Sequence, residues 1–431
     1  MTQDPTGRPW LTVLQGAAAL AATLGIGRFV YTPILPLMHE QAGLTTAQGS
    51  LLATANYLGY LAGALLSIFI PRVLRSRMVY LTSLLSAVAA IGLMAAARDF
   101  TAWFALRFIA GLTCALVFVI VSSAMLSRFR QQGQYLVGWG FGGIGAGIAL
   151  SGVLVLVVRT GGTWRTAWIA SAVLALALSM LAWSLRPATA ERPAALARQD
   201  AALRGNRRSF AILLTSYTLE GVGYVIAGTF MVAAIDENSP TWTGSIAWVL
   251  VGLAAVPASA LWARLGAMWS WPGMLCLALL LQACGIALPA VAVGVAPALV
   301  AAVLFGGTVL GIVSMALTLG NYLRLPRAVA ILTSGYGLGQ VAGPLVATPL
   351  LRGGYHVALL VGAAIVLTAA LAAAALAISF PGRKPSSGPV PAMWRSLSHV
   401  QLDELLRNNA SFARTRSGCR CRGTRGQVGG S

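Results

Sequence analysis

Residues 136–158 read LVGWGFGGIGAGIALSGVLVLVV and contain no charge. At 1.5 Å per residue an α-helix of that length reaches about 35 Å, enough to cross the roughly 30 Å hydrocarbon core of a bilayer. The run is apolar on every side, whereas a barrel strand would alternate apolar and polar positions. A membrane-spanning helix is the reading that fits.

Eleven similar runs accompany it. The twelve predicted spans are approximately Leu11–Leu35, Gly49–Ile70, Met78–Ala97, Ala102–Leu126, Leu136–Val158, Thr166–Leu185, Phe210–Ile235, Trp242–Leu265, Met274–Val293, Ala298–Leu319, Ala328–Leu350 and Val357–Phe380. Over the 431 residues, 58% are hydrophobic and 9% charged, against about 25% charged in an average soluble domain. Lipid must therefore be the solvent for most of the chain. The expected fold class is an all-α polytopic membrane protein of twelve transmembrane helices, with both termini inside.

A net charge of +20 raises the question of nucleic acid, and the placement of the basic residues answers it. With both termini inside, 15 basic residues before Phe380 fall in inner segments and 4 (Arg98, Arg159, Arg165, Arg352) in outer ones. That is the positive-inside bias of a plasma-membrane protein, here expected to be a bacterial inner membrane. The excess orients helices and gives no reason to expect a nucleic-acid partner. The first apolar run is too long for a signal peptide and contains Arg28. Cys114, Cys276 and Cys284 lie in spans, and Cys419 and Cys421 lie in the tail, so no structural disulfide is expected.

The organisation is bipartite. After an N-terminal segment (1–9) comes a six-helix half (10–185). The central loop (186–209) is rich in Arg, Ala and Pro, and a second six-helix half (210–380) follows it. Residues 381–431 form a basic tail expected to be disordered. Faint repetition links the halves. Gly25-Ile26-Gly27-Arg28 in the first span is echoed by Gly221-Val222-Gly223-Tyr224 in the seventh. The glycines of the fifth span, Gly143 and Gly147 among them, have counterparts in Gly335, Gly337, Gly339 and Gly343 of the eleventh. A Gly inside an exposed helix costs about 1 kcal/mol relative to Ala, so such density needs a reason. Close helix packing in lipid is one, and a sliding interface between the halves is another. Pro344 would add a local break to the eleventh span.

With these stretches in view, the chain resembles the major facilitator superfamily, and within it the bacterial YbfB/YjiJ group. The resemblance rests on Gly25–Pro33, on Ala55-Asn56-Tyr57-Leu58-Gly59-Tyr60 and on Arg107-Phe108-Ile109-Ala110-Gly111. Glu220–Tyr224 with Gly228-Thr229-Phe230, and Gly339-Gln340-Val341-Ala342-Gly343-Pro344, complete it. It implies that helices 1, 4, 7 and 10 line a central cavity about which the halves rock. Two departures stand out. If Arg72 takes the arginine place in the superfamily's loop between helices 2 and 3, Pro71 replaces its Asp and Leu74 its Gly. The fifth span also lacks the proline common in antiporters.

Charges inside the membrane are rare because each costs roughly 2.5–3.5 kcal/mol at the bilayer centre on insertion scales. Glu220 lies near the middle of the seventh span. Arg28 and Arg107 lie outward of their span centres by ~8–9 Å. Arg107 is either a clamp between helices or part of the site. Around Arg28 and Glu220, polar residues share a helix face: Tyr31 and Thr32 with the first, Tyr217 and Tyr224 with the second. Asn56 and Tyr60, and Thr333, Tyr336 and Gln340, make similar stripes. A wet cavity wall explains them together. Arg28, Tyr31, Arg107, Tyr217, Glu220, Tyr224, Asn56, Tyr60, Tyr336 and Gln340 are thus the candidates for substrate binding and coupling. Gly143, Gly147, Gly339, Gly343, Pro344 and Arg72 are those for gating and helix packing.

Metal, cofactor and ATP chemistry find no support. His39, His356 and His399 form no ligand cluster, and no phosphate-binding loop exists in a chain whose one lysine is Lys384. The expectation is a monomeric secondary carrier for a small solute, driven by an ion gradient with the proton as coupling ion, and not an enzyme. The competing class is a transporter-like membrane sensor that binds a ligand and moves nothing.

Overall fold

The computed structural model describes residues 9–70, 75–129, 134–187, 203–240, 242–323, 325 and 328–380. The expectations for Arg72, for most of the central loop and for the tail after Phe380 lie outside the described residues. Twelve helices follow one another: α1 (Pro9–Ala42), α2 (Thr46–Phe69), α3 (Arg77–Ala96), α4 (Phe100–Arg128), α5 (Gln134–Val158), α6 (Trp164–Ala182), α7 (Leu203–Asn238), α8 (Trp242–Met268), α9 (Trp271–Val291), α10 (Val295–Tyr322), α11 (Ala328–Leu350) and α12 (Tyr355–Ser379). Among the described residues, ten of these helices offer a stretch long and apolar enough to cross a membrane.

Several helices start a residue or more before their apolar runs because a polar residue caps them. Thr45 and Gln48 form a reciprocal capping box on α2, and Ser76, Asp99, Thr163 and Ser270 accept from the first turns of α3, α4, α6 and α9. α7 is the exception in kind. It begins at Leu203, inside the stretch expected as loop, because Arg207 and Arg208 are adequate helix formers and extend it beyond the apolar run.

α1 is not a regular helix. It passes through a π-helical turn, Ala21–Ile26, then a non-helical turn over 27–30, and resumes at Tyr31. The N–H groups of Gly27 and Phe29 reach back five residues, to Ala22 (3.0 Å) and Leu24 (3.3 Å). Pro33 has no N–H to offer the Phe29 carbonyl, and its ring would crowd that carbonyl in a straight helix. The Phe29 carbonyl instead accepts from Thr32 at 3.2 Å. The carbonyls of Gly27 and Arg28 are left needing other donors.

Consecutive helices alternate in direction, so one end of the bundle carries Pro9 and Ser379 and the other carries Ala42 and Asn238. α1–α6 pack among themselves through α2 with α4, α3 with α4 and α6, and α1 with α5. α7–α12 pack through α7 with α11 and α12, α9 with α10 and α12, and α8 with α10. Two seams join these sets: α5 against α8, and α2 against α11. A Cβ on Gly142 would stand 2.6 Å from the Val256 carbonyl oxygen, and one on Gly145 2.6 Å from the Val256 nitrogen. Backbones this close exclude any side chain, and the glycines are what permit the contact.

α5 and α11 thus each meet a helix of the other set, while the particular glycines singled out above face elsewhere. A Cβ on Gly147 would lie 2.5 Å from the Ala21 carbonyl oxygen of α1, and Gly143 abuts Ala17 of the same helix. Gly343 abuts Val222 of α7 at 2.7 Å, and Gly339 abuts Thr218. The seam glycines of α5 sit one or two positions away, on the neighbouring face.

Candidate functional site

A cavity lies between the two sets of helices, with about 690 Å³ of empty space counting its mouth. α1 contributes Leu24, Arg28 and Phe29; α2 contributes Tyr60; α7 contributes Tyr217 and Tyr224; α11 contributes Thr333, Tyr336 and Gln340. α4, α5, α8 and α10 supply apolar and aromatic wall, including Phe118, Ile148, Trp248 and Phe305. The four helices implied by the resemblance do line it, joined by α2, α5, α8 and α11.

The wall is a set of touching aromatic rings. Tyr217 and Tyr336 stack at 4.4 Å between centroids, and Tyr224 stacks on both Tyr336 and Phe305 at 5.9 Å. Phe29 meets Tyr224 edge-on at 6.5 Å and Trp248 at 6.4 Å. Tyr217 and Tyr224, at i and i+7 on α7, and Tyr336 on α11 form one surface.

Arg28 is the one charged residue among those lining this cavity, and it is 4% exposed. The π-turn of α1 turns its guanidinium onto α2, where the carbon of the group sits 4.6 Å from the ring centres of both Tyr57 and Tyr60. Desolvated cation–π contacts of this kind are worth about 2 kcal/mol. Its Nε and Nη2 are buried and make no hydrogen bond. Arg28 on α1 and Glu220 on α7 do not pair with each other.

Glu220 is fully buried and does not line the cavity itself. Its Oε1 accepts from Gln282 Nε2 on α9 at 3.2 Å, and the Tyr336 hydroxyl stands beside the same carboxylate. Oε2 makes no hydrogen bond. The carboxylate thus sits behind the tyrosine wall, one side chain removed from the cavity. Gln282 escaped the sequence reading. Its signal was a lone amide inside the apolar run LALLLQACGIAL of the ninth span.

Three candidates besides Glu220 lie away from the cavity wall. Arg107 is a clamp. Its Nη1 donates to the Gly27 carbonyl at 3.2 Å and its Nη2 to that of Arg28 at 3.4 Å, the two acceptors the α1 break sets free. Tyr31 lies under the same guanidinium at 4.6 Å and donates to the Gly49 carbonyl of α2 at 2.8 Å. Asn56 donates to the Arg107 backbone carbonyl at 3.0 Å, tying α2 to α4. These three bond to the backbone of neighbouring helices and are not among the residues lining the cavity.

Among the described residues, several polar contacts bridge the two sets toward the Ala42 end. Thr32 Oγ1 donates to the Gly228 carbonyl at 2.5 Å, and the Tyr57 and Thr229 hydroxyls meet at 3.3 Å. Ser50 meets Thr348 at 2.6 Å and the Pro344 carbonyl at 3.0 Å, so Pro344 serves the α2–α11 seam. Arg159, just past α5, pairs with Asp236 near the end of α7 at 3.1 Å. Asp236 also accepts from the Gly244 N–H at 3.0 Å. The cavity extends the other way, to Leu317 and Thr333, each five residues from the Pro9-end terminus of its helix.

Two sets of apolar helices around a central cavity, joined along two seams, define a polytopic membrane protein with the architecture of a carrier. Residues 20–374 match the family described as "Uncharacterised MFS-type transporter YbfB", and the chain belongs to the major facilitator superfamily, whose members are transporters and not enzymes. It is 33% identical over 142 residues to the uncharacterised MFS-type transporter YcaD of Salmonella dublin, covering 31% of this chain and 36% of that one. To YcaD of Salmonella newport it is 36% identical over 120 residues, 28% of this chain and 30% of the other. The chain thus matches about a third of the length of these relatives. Its fold is similar to a crystal structure of the nucleoside transporter NupG, with a TM-score of 0.65 at 14% identity, over 85% of this chain and 99% of that one.

Proposed function

We propose that the protein carries a small solute across a bacterial inner membrane by alternating access, with twelve spanning helices and both termini in the cytoplasm. The observation that carries this reading is the asymmetry of the cavity. Among the described residues, the Thr32–Gly228, Ser50–Thr348 and Arg159–Asp236 contacts bridge the sets at the Ala42 end, and the empty space runs toward the Pro9 end. With the positive-inside rule setting the Pro9 end in the cytoplasm, this is an inward-facing state. The outward-facing state follows by rocking on the α5–α8 seam, which breaks the Thr32, Ser50 and Arg159 contacts.

Protons are the proposed coupling ion, and Glu220 their carrier. The support is its burial, its single firm hydrogen bond from Gln282 and its position behind Tyr336. A carboxyl group whose surroundings change as the halves rock has a different proton affinity in each state, and that links proton flow to the transition.

The test is reconstitution of the full chain in sealed vesicles loaded with a mixture of small metabolites. Lumen composition is followed by mass spectrometry under an imposed pH difference. At least one solute should move, and its gradient should collapse when a protonophore is added. A ligand that stabilises the protein while nothing moves would favour the sensor reading instead.

A further inference from the structure

We propose that the cavity takes a small organic monocarboxylate with an aromatic or similarly flat apolar body, its carboxylate on Arg28 and its body against Tyr224, Phe305 and Trp248. This rests on the reading of the cavity as the substrate site. A guanidinium keeps its charge at any physiological pH. Burying it without a partner anion is costly. The rings of Tyr57 and Tyr60 attend to its faces. They leave its edge, where Nε and Nη2 carry unpartnered N–H groups.

Two N–H groups side by side on a guanidinium edge match the two oxygens of a carboxylate. No protein carboxylate among the described residues fills that place. Glu220 is bonded to Gln282, and Asp236 is paired with Arg159 near the end of α7. Among the described residues lining the wall there is one cation and no second charge, which suits a single negative charge. Everything else facing the space is aromatic or aliphatic, apart from scattered hydroxyls and two further orphans, Trp248 Nε1 and Gln340 Oε1. Those two would serve a polar group on the body.

The experiment is thermal unfolding of the full chain in detergent with a matched set of probes. Phenylacetate and related aromatic monocarboxylates carry the proposed head and body. Phenylacetamide has the same shape without charge, phenethylamine has the opposite charge, and acetate has the head alone. The aromatic acids should stabilise the protein with an apparent affinity at least tenfold above that of the amide, the amine and acetate. Arg28→Gln should bind acid and amide alike, and Arg28→Lys should keep a reduced preference for the acid.

Equal binding of acid and amide by the parent protein, or no binding by any carboxylate, would overturn the assignment. So would an acid preference that survives in Arg28→Gln. Should Arg28→Gln fail to fold, the comparison of parent with Arg28→Lys decides. Acid that binds yet never crosses a vesicle membrane would count against transport and leave this assignment standing. Transport of a neutral or cationic solute without acid binding would do the reverse.

Discussion

Arg107 on α4 donates to the backbone carbonyl of Arg28 on α1 at 3.4 Å, and to that of Gly27 at 3.2 Å. One buried arginine thus holds open the helix break that aims the other. The division of labour is physical. The break in α1 leaves two buried carbonyls in need of donors, and a forked cation is the side chain best able to satisfy both. Arg28, relieved of backbone duty, is left with its N–H edge free.

Replacing Arg107 by Gln should therefore damage folding and the site together. Hydrogen bonds to charged groups are worth roughly 1.5–3 kcal/mol each. The unfolding temperature in detergent should fall by several degrees, with ligand affinity falling alongside. Arg107→Lys should recover only part of the loss, since one ammonium cannot reproduce the fork. An unchanged unfolding temperature in Arg107→Gln would remove the clamp from the account.

The α5–α8 seam should tolerate no added carbon. A Cβ at Gly145 would lie 2.6 Å from the Val256 nitrogen and 2.7 Å from the Gly252 carbonyl oxygen, both backbone atoms that cannot swing aside. Overpacking of this kind costs roughly 1–3 kcal/mol. Gly145→Ala is expected to yield less folded protein and to slow exchange across vesicles more than it lowers ligand affinity. If exchange rates per folded molecule match the parent, the seam does not rock.

The Arg159–Asp236 pair should latch the Ala42 end. Its side chains are 13% and 11% exposed, so water weakens the pair without dissolving it. Asp236→Asn should release about 1–2 kcal/mol of closure, a shift of roughly five- to thirtyfold in the two-state population. The readout is labelling of a cysteine introduced at Thr229 by an impermeant thiol reagent from outside, in a background without native cysteines. Faster labelling in Asp236→Asn is expected. Equal rates would mean the pair has no part in closure.

Glu220→Gln keeps the shape of the side chain and its contact with Gln282 while removing the titrating proton. It should bind and exchange substrate at near-parental rates, yet fail to concentrate it under an imposed pH difference. Accumulation like the parent, with the same pH dependence, would assign coupling elsewhere.

Much of this architecture was legible in the sequence because lipid imposes a blunt rule. Runs of about twenty apolar residues must be helices, and charges within them must be held. Arg28, Tyr60, Tyr217, Tyr224, Tyr336 and Gln340 announced themselves as polar stripes and do face one cavity. Arg107, Tyr31 and Asn56 gave the same signal and turned out to hold helices together, because a polar side chain in lipid needs a partner whether that partner is backbone or ligand. The α1 break depends on Pro33 acting through a carbonyl four residues earlier. Its consequence for Arg107 is a contact seventy-nine residues distant, which spacing cannot reveal. The glycine faces were equally hidden. On α5, Gly142 and Gly143 are neighbours in sequence, yet one meets α8 and the other α1.

Distances between spin labels at opposite ends test whether the two sets of helices rock about the cavity, without knowledge of the substrate. One pair of labels, at Glu40 and Glu237, reports on the Ala42 end; the other, at Ser127 and Tyr322, reports on the Pro9 end. All four positions are exposed. In lipid nanodiscs the account predicts two populations whose distances move in opposition. The Glu40–Glu237 distance should lengthen in the population where Ser127–Tyr322 shortens, with proportions that shift with pH in the parent and not in Glu220→Gln. A single distance at each end, unmoved by pH or by ligand, would contradict it.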